Sequence, residues 1–378
     1  VYLSIGIIAW NEALAIPGLV ESLSRQTVFK ELCDRSLGCE IVVVPNGCTD
    51  KTAEAAEEAL AKCFGLANEC AKLGSPSWKV LPVAERGKLN AWNQFVHRIS
   101  AREARFLLLL DADILFVQPE TVWNMVSVLR EEQKALVSVD TPMKRVAAST
   151  SAVGALSTSA GMITAAAPAQ LCGQAYCIRA ETARNIYLPK DLAACDDGFI
   201  KALVCTDCLT RPLTADRICL APNAGHTFEA YTTPGAILRN QKRQVIGQTI
   251  VHILVDQYLP SLPYTDKLQL AATLREKDSS DPDWLKRRIA LHVAEAKVPW
   301  RLYPQLLTHR FQHLRKLSFR RKILSLPGLL AGMAVSFVAS WLAFRALKSG
   351  CTDYWPKARR KQASHPAAPL RHQKVNIN

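Results

Sequence analysis

The chain has 378 residues, with 47 Lys/Arg against 33 Asp/Glu, a net charge of +14 and 12 cysteines. That length holds one α/β domain of roughly 250 residues and an appendage, and the charge is uneven. From Pro282 onward there are 19 Lys/Arg and 3 Asp/Glu, giving +16, which leaves about −2 for residues 1–281 and speaks against nucleic-acid binding by the N-terminal domain.

Leu3 to Trp10 is an apolar, β-rich first strand that ends at Asn11-Glu12, and Ile16, Leu19, Val20 and Leu23 mark the helix after it, with Pro17 in its first turn. No secretory leader pattern precedes the strand, and the chain begins without Met. Glu40 to Val44 predicts a second buried strand. Pro45-Asn46-Gly47-Cys48-Thr49-Asp50 is turn chemistry, with Thr49 or Asp50 able to cap a helix over Ala53–Cys63. Strand, helix, strand, helix is a βαβ pattern. Trp78 to Val83 gives a short third strand, and Arg86-Gly87-Lys88 precedes a helix with Leu89, Trp92, Val96 and Ile99 on one side. Cations beside a helix N-terminus can serve an anion or merely cap a loop.

Phe106-Leu107-Leu108-Leu109-Leu110 is an unbroken apolar run, expected to be a strand buried on both faces, and it ends in Asp111-Ala112-Asp113. Ligands collect at the carboxyl ends of parallel strands, and an extended backbone points residues i and i+2 to one side. Two such carboxylates suit a hard divalent cation that shares its other positions with water and phosphate.

A helix over about 120–133 and a strand over 135–140 follow. Val146 to Ala169 then carries no charge, and its pattern is open between a loop and a weakly amphipathic helix. Gly173 to Arg179 reads as a strand, Ala180 to Ile186 as a helix, and Asp196-Asp197 as acids at another helix start, where capping alone would account for them. Cys205-x-x-Cys208 has no second pair or spaced His, which disfavours zinc. Ala230 to Pro234 is expected to break the chain before a polar, cationic run, Arg239 to Gln244.

These motifs together resemble the family 2 glycosyltransferases, over roughly residues 1–250. The matches are Ala9-Trp10-Asn11-Glu12, Asn46 to Thr52, Gly87 to Asn93, Asp111-Ala112-Asp113, Gly173 to Arg179, Asp196-Asp197 and Arg239 to Gly247. The chain departs at Pro45-Asn46, where the family usually has two Asp, and at Asn240 and Gln244, where it has Gln and Trp; Arg243 keeps its register. The resemblance implies a GT-A fold, a Rossmann-like mixed α/β sheet flanked by helices, and inverting transfer from a nucleotide sugar, UDP-linked in preference to GDP-linked. It further implies that Asp113, with Asp111 on the ribose or a metal-bound water, holds Mg²⁺ or Mn²⁺, and that Asp197 is the general base, oriented by Asp196. Arg243 and Lys88 would neutralise the departing diphosphate, and Ala9, Asn11, Glu12, Asn46 and Arg86 would line the nucleotide-sugar pocket. Two rivals are a GT-A-like nucleotidyltransferase and a non-catalytic protein that keeps the fold. The first needs a Gly-rich cationic signature near the N-terminus, and Ile5 to Asn11 offers only Gly6.

Beyond 250 a helical, basic extension is expected to 322. From Trp300, apolar residues recur at three- and four-residue steps to Leu317 with cations between them, a pattern for an anionic membrane surface. Ile323 to Phe344 is 22 residues without charge, long enough to span a bilayer or to lie in its interface, so 323–347 is expected to be a transmembrane or interfacial helix. Residues 348–378 read as a basic disordered tail. A lipid or lipid-linked glycan acceptor is therefore expected, with the catalytic domain membrane-associated and facing the cytoplasm, where cysteines scattered without a disulfide framework stay reduced.

Overall fold

The computed structural model describes residues 1–65, 76–145, 170–229, 233–303 and 319–350. The uncharged stretch 146–169, most of the basic pattern after Trp300 and the tail beyond 350 lie outside them.

An eight-stranded mixed sheet forms the centre, in the order β3-β2-β1-β4-β7-β6-β8-β5. β1 (Leu3–Ala9), β2 (Cys39–Pro45), β3 (Ser77–Val80) and β4 (Phe106–Asp111) are parallel, with Ala9 opposite Pro45 and Ile8 opposite Asp111 at one edge. The apolar runs alternate across the sheet as their period of two requires. Ile5, Ile7, Val43, Leu108 and Leu110 face one core, against α1 (Ile16–Ser24), α3 (Thr52–Phe64) and α5 (Thr121–Glu131). Val42, Val44, Leu107 and Leu109 face the other, against α4 (Lys88–Gln94), α6 (Ala180–Arg184), α7 (Asp196–Thr206) and α8 (Pro234–His252). A short α2 (Val28–Cys33) follows α1. Each buried Leu of β4 contributes about 2–3 kcal/mol relative to exposure.

Two features depart from a simple parallel wind. β7 (Ala175–Arg179) runs antiparallel to β4, Ala175 opposite Leu110, so the residues entering it, Gly173 and Gln174, arrive beside Asp111. After β4 the chain crosses to the far side of the sheet, where β5 (Leu115–Phe116) pairs with β8 (Ile218–Glu229). Asp113 lies on this crossing, at the same edge. β6 (Val137–Arg145) is parallel to β8, with a register shift at Asp140.

The polar, cationic run Arg239 to Gln244 lies inside α8, which starts at Pro234. Thr233 Oγ1 accepts from Ala236 N at 3.2 Å, Pro234 occupies the first turn, and the burial that holds the helix comes later, at Val245, Ile246, Thr249 and Ile250. α8 also passes position 250 without a break and continues as a π turn to Tyr258. Helices α9 (Tyr264–Leu268), α10 (Leu270–Ser280) and α11 (Trp284–Ala296) follow, then α12 (Phe319–Lys348), which packs along α8 and α11. Among the described residues, no helix is long and apolar enough to cross a membrane.

Candidate active site

The tips of β1, β2 and β4 and the entries to β7 and α7 converge at the carboxyl edge of the sheet. Asp111 and Asp113 share one side of the chain while Ala112 and Ile114 are buried on the other, so the alternation of β4 continues past its end. Burial pushes the Asp111 carboxyl up to about 6, with Asp113 adding repulsion and Lys88 opposing it. Lys88, the first residue of α4, is held through Gly87 (φ +148°) and through Trp92, whose Nε1 donates to Tyr176 Oη at 2.6 Å. Its Nζ lies 2.7 Å from Asp111 Oδ1 and 3.8 Å from Asp196 Oδ2, and donates to Gly173 O at 2.9 Å. Lys88 is thus the counter-ion shared by the β4 and α7 acids, where the sequence pointed to a diphosphate contact.

Asp196 and Asp197 open α7, preceded by Cys195 in the left-handed region (φ +62°). Burial and the neighbouring Asp196 hold the Asp197 carboxyl above the usual range, against the pull of Lys88 and Arg243 and a backbone bond accepted from Gly198 N at 2.8 Å. Arg243 acts electrostatically on both Asp197 and Cys195, which puts α8 over this loop. Gly173 belongs to the same cluster: a Cβ there would lie 3.5 Å from Asp196 Oδ2 and 3.7 Å from Lys88 Nζ. Asp111, Asp113, Lys88, Asp196, Asp197 and Arg243 therefore form one electrostatic group drawn from β4, α4, α7 and α8.

The expected nucleotide-pocket residues sit on the neighbouring rim, where several have internal work. Asn46 is buried; its Nδ2 donates to Ala9 O at 2.7 Å and its Oδ1 accepts from Gly87 N at 3.1 Å. Its amide ties the ends of β1 and β2 to the turn before Lys88, so reading a base edge with it would break those bonds. Asn11 (φ +53°) accepts from Thr49 N at 2.6 Å, Glu12 N donates to Thr52 Oγ1 at 2.8 Å, and Glu12 O caps α1 by accepting from Ala15 N and Ile16 N. Arg86 stacks over Trp10 at 3.8 Å, its backbone pressed against Gly47 (φ +56°), where a Cβ would come within 2.8 Å of Arg86 Cα.

Sequence reasoning did not single out Gln174, Asp140 or His226. Gln174 O accepts from Asp111 N at 2.8 Å, and its Oε1 lies 3.4 Å from His226 Nε2; His226 Nδ1 meets Asp140 Oδ2 at 2.8 Å, both side chains fully buried. No motif marked this prop. Cys205 and Cys208 are free thiols, and among the described residues no three His, Cys, Asp or Glu are grouped to hold a metal.

A family model described as Glycosyl transferase family 2 matches residues 4–151, the stretch that contributes β1 to β6, Asp111 and Asp113. Over that stretch the chain matches glycosyltransferase family 2. The fold of this glycosyltransferase is also that of a mannosyltransferase from Pyrobaculum calidifontis in complex with GDP-Man and Mn²⁺, 17% identical over 92% of this chain and 86% of that one, TM-score 0.51. S. aureus TarS residues 1–349 with UDP matches at 16% identity, 93% and 92% coverage and TM-score 0.41. Glucosyl-3-phosphoglycerate synthase from Mycobacterium tuberculosis, with Mn²⁺, UDP and phosphoglyceric acid, matches at 16%, 69% and 79%, and 0.42. No curated protein matches by sequence.

Proposed function

We propose that this glycosyltransferase is a metal-dependent inverting enzyme that moves a sugar from a nucleotide sugar to a hydroxyl of a lipid or lipid-linked glycan at a membrane surface. A UDP-sugar is the favoured donor, and the GDP-Man of the Pyrobaculum calidifontis neighbour makes a GDP-sugar the competing case. One observation carries the reading: the Asp111/Asp113 pair and the Asp196/Asp197 pair lie across Lys88 from each other, so leaving group and nucleophile can be served in one cleft.

The donor set fits a hard divalent cation. It is oxygen-only, and Asp113 with Asp111 supplies one or two carboxylates, the protein share expected when diphosphate and water complete the shell. Mg²⁺ or Mn²⁺ held there would supply charge neutralisation of the diphosphate. Asp197 takes the proton from the acceptor hydroxyl as its oxygen attacks the anomeric carbon on the face opposite the nucleoside diphosphate. Its raised proton affinity suits that task, because a base that binds its proton weakly would draw little from an alcohol. Asp196 fixes the geometry through Lys88, and Arg243 balances the charge as Asp197 ionises. Ala9, Asn11, Glu12, Asn46 and Arg86 shape the nucleoside end, Asn46 from behind the wall.

The test is a screen of UDP- and GDP-sugars with Mn²⁺ or Mg²⁺, with and without membrane lipid extract, reading released nucleoside diphosphate. One donor should turn over, chelation should stop it, and lipid should raise the rate. Asp197→Asn should lower kcat by about 10²–10⁴ and leave donor KM within a fewfold. Because Asp197 must be ionised to act and its proton affinity is raised, the wild-type rate should fall with decreasing pH at a higher pH than an ordinary Asp would give. Donor turnover that survives Asp197→Asn, or that no metal supports, ends this reading.

A further inference from the structure

α12 presents two opposite faces. Ser336, Ala339, Ser340, Ala343 and Leu347, at three- and four-residue steps, are buried against α8 and α11, where small side chains let the helices approach closely. The opposite stripe runs through Phe337, Trp341, Arg345 and Lys348, all exposed, with Val338 beside it. Phe337 is 52% exposed, Trp341 45% and Trp300, from the turn after α11, 46%. Trp300 stacks on Phe337 with ring centroids 5.9 Å apart, and the Arg345 guanidinium sits 4.9 Å over the Trp341 ring. A row of three solvated aromatic rings ending in cations is contiguous, unlike scattered surface apolars, and so calls for a covering surface.

Charge identifies that surface. Between Glu295 and Asp353 the sequence carries ten Lys/Arg and no Asp or Glu. A second copy of this chain would bring its own Arg345 and Lys348 against this pair, so self-association through this face is opposed by like charge. An anionic bilayer supplies what the stripe lacks: phosphates for Arg345 and Lys348, and a headgroup layer in which Trp and Phe rest with one side apolar. Insertion of α12 across the bilayer would strip its inner face from α8 and α11.

We propose that the face made by Trp300, Phe337, Trp341, Arg345 and Lys348 is the surface by which this glycosyltransferase lies on an anionic membrane, with α12 in the plane of the interface. This rests on the membrane-surface part of the function proposed above. It adds geometry to it: α12 packs on α8, and α8 carries Arg243 and covers the Asp197 loop, so the bilayer would lie one helix layer from the acid–base site.

The test uses the full chain and sedimentation with vesicles of phosphatidylcholine alone or mixed with phosphatidylglycerol. Wild type should pellet with the mixed vesicles only, and less so as salt rises. Phe337→Ser with Trp341→Ser should weaken that partitioning about tenfold or more, because two aromatic contacts are lost. Leu291→Ser, at a still more exposed apolar residue on α11, should leave it unchanged. Release of nucleoside diphosphate from donor in the absence of lipid is measured on every sample and should be equal in all three. Partitioning unaffected by the double variant overturns the surface. So does a concentration-dependent dimer, seen by sedimentation equilibrium, that the double variant abolishes. If wild type hydrolyses donor but does not pellet, the surface fails and the transferase stands. If it pellets but no donor is hydrolysed, the transferase reading fails and the surface stands.

Discussion

Lys88 stands between two carboxylate pairs that would otherwise face each other in a low-dielectric cleft. Burial works against its charge, and the Asp111 and Asp196 carboxylates more than restore it, raising its proton affinity above that of an ordinary lysine. Removing one partner of a buried pair leaves the others uncompensated, so Lys88→Met should cost about 3 kcal/mol in unfolding free energy at pH 8. The sign of its pH dependence follows from Asp111. That group binds its proton more tightly folded (about 6) than in its ordinary state (3.8), so its ionisation destabilises the fold as pH rises through this window. Without Lys88 the destabilisation should grow and extend to higher pH. Urea titrations of both proteins at pH 8 and pH 5 check this: the deficit of the variant should shrink at pH 5, where Asp111 carries its proton. A deficit independent of pH would mean that Lys88 acts by packing alone.

At the scale of elements, the loop that presents Asp196 and Asp197 owes its position to a close helix contact. A Cβ at Gly247 of α8 would lie 2.6 Å from Cys195 Sγ and 2.7 Å from both the carbonyl carbon and the oxygen of Ala194, so only glycine lets α8 approach the loop that presents Asp196 and Asp197. Gly247→Ala should therefore cost about 1–3 kcal/mol and lower kcat, with donor KM less affected because the proposed nucleotide rim lies at the tips of β1 and β2. Thermal unfolding with steady-state kinetics separates these effects, and a fall in stability with kcat intact would show that the loop rides with α8. β1, β2 and β4 were legible in the sequence because each is a mainly apolar, β-rich stretch with a carboxylate or turn motif at its tip. β8 was not, since Pro222, Asn223 and Gly225 read as turns, and the strand absorbs them only through the irregular pairing opposite Asp140. α8 was not legible as a helix, because Arg239 to Gln244 interrupts its apolar pattern with a polar, cationic run. Asp111, Asp113 and Asp197 could be picked out by residue type and order. The pairing of Lys88 with Asp111 could not, because it requires β7 to enter antiparallel and set Gly173 against Lys88 and Gln174 against Asp111.

At the scale of the whole molecule, the composition shift near 280 suggested a domain followed by an appendage, whereas the packing joins them. Ile246 and Ile250 of α8 share one hydrophobic cluster with Leu285 and Ile289 of α11 and with Ala339, Ala343 and Leu347 of α12, and that cluster reaches Leu107 and Leu109 under the active-site edge. A chain ending at Tyr303 should lose the cover over α8. Its unfolding midpoint should fall by on the order of 10 °C, since a few kcal/mol of lost burial moves a domain of this size by several degrees each. The consequence for catalysis differs from that of losing a membrane contact. Because α8 carries Arg243 and props the Asp197 loop, donor turnover in the absence of lipid should fall in the truncated chain, whereas Phe337→Ser with Trp341→Ser leaves it intact. Binding of nucleoside diphosphate with Mn²⁺, followed by calorimetry, should persist in the truncated chain, because the carboxyl edges of β1, β2 and β4 do not depend on α12. Full lipid-free turnover and an unchanged midpoint after truncation would instead make α12 a separable arm, and the continuous core described by this cluster would have no energetic meaning.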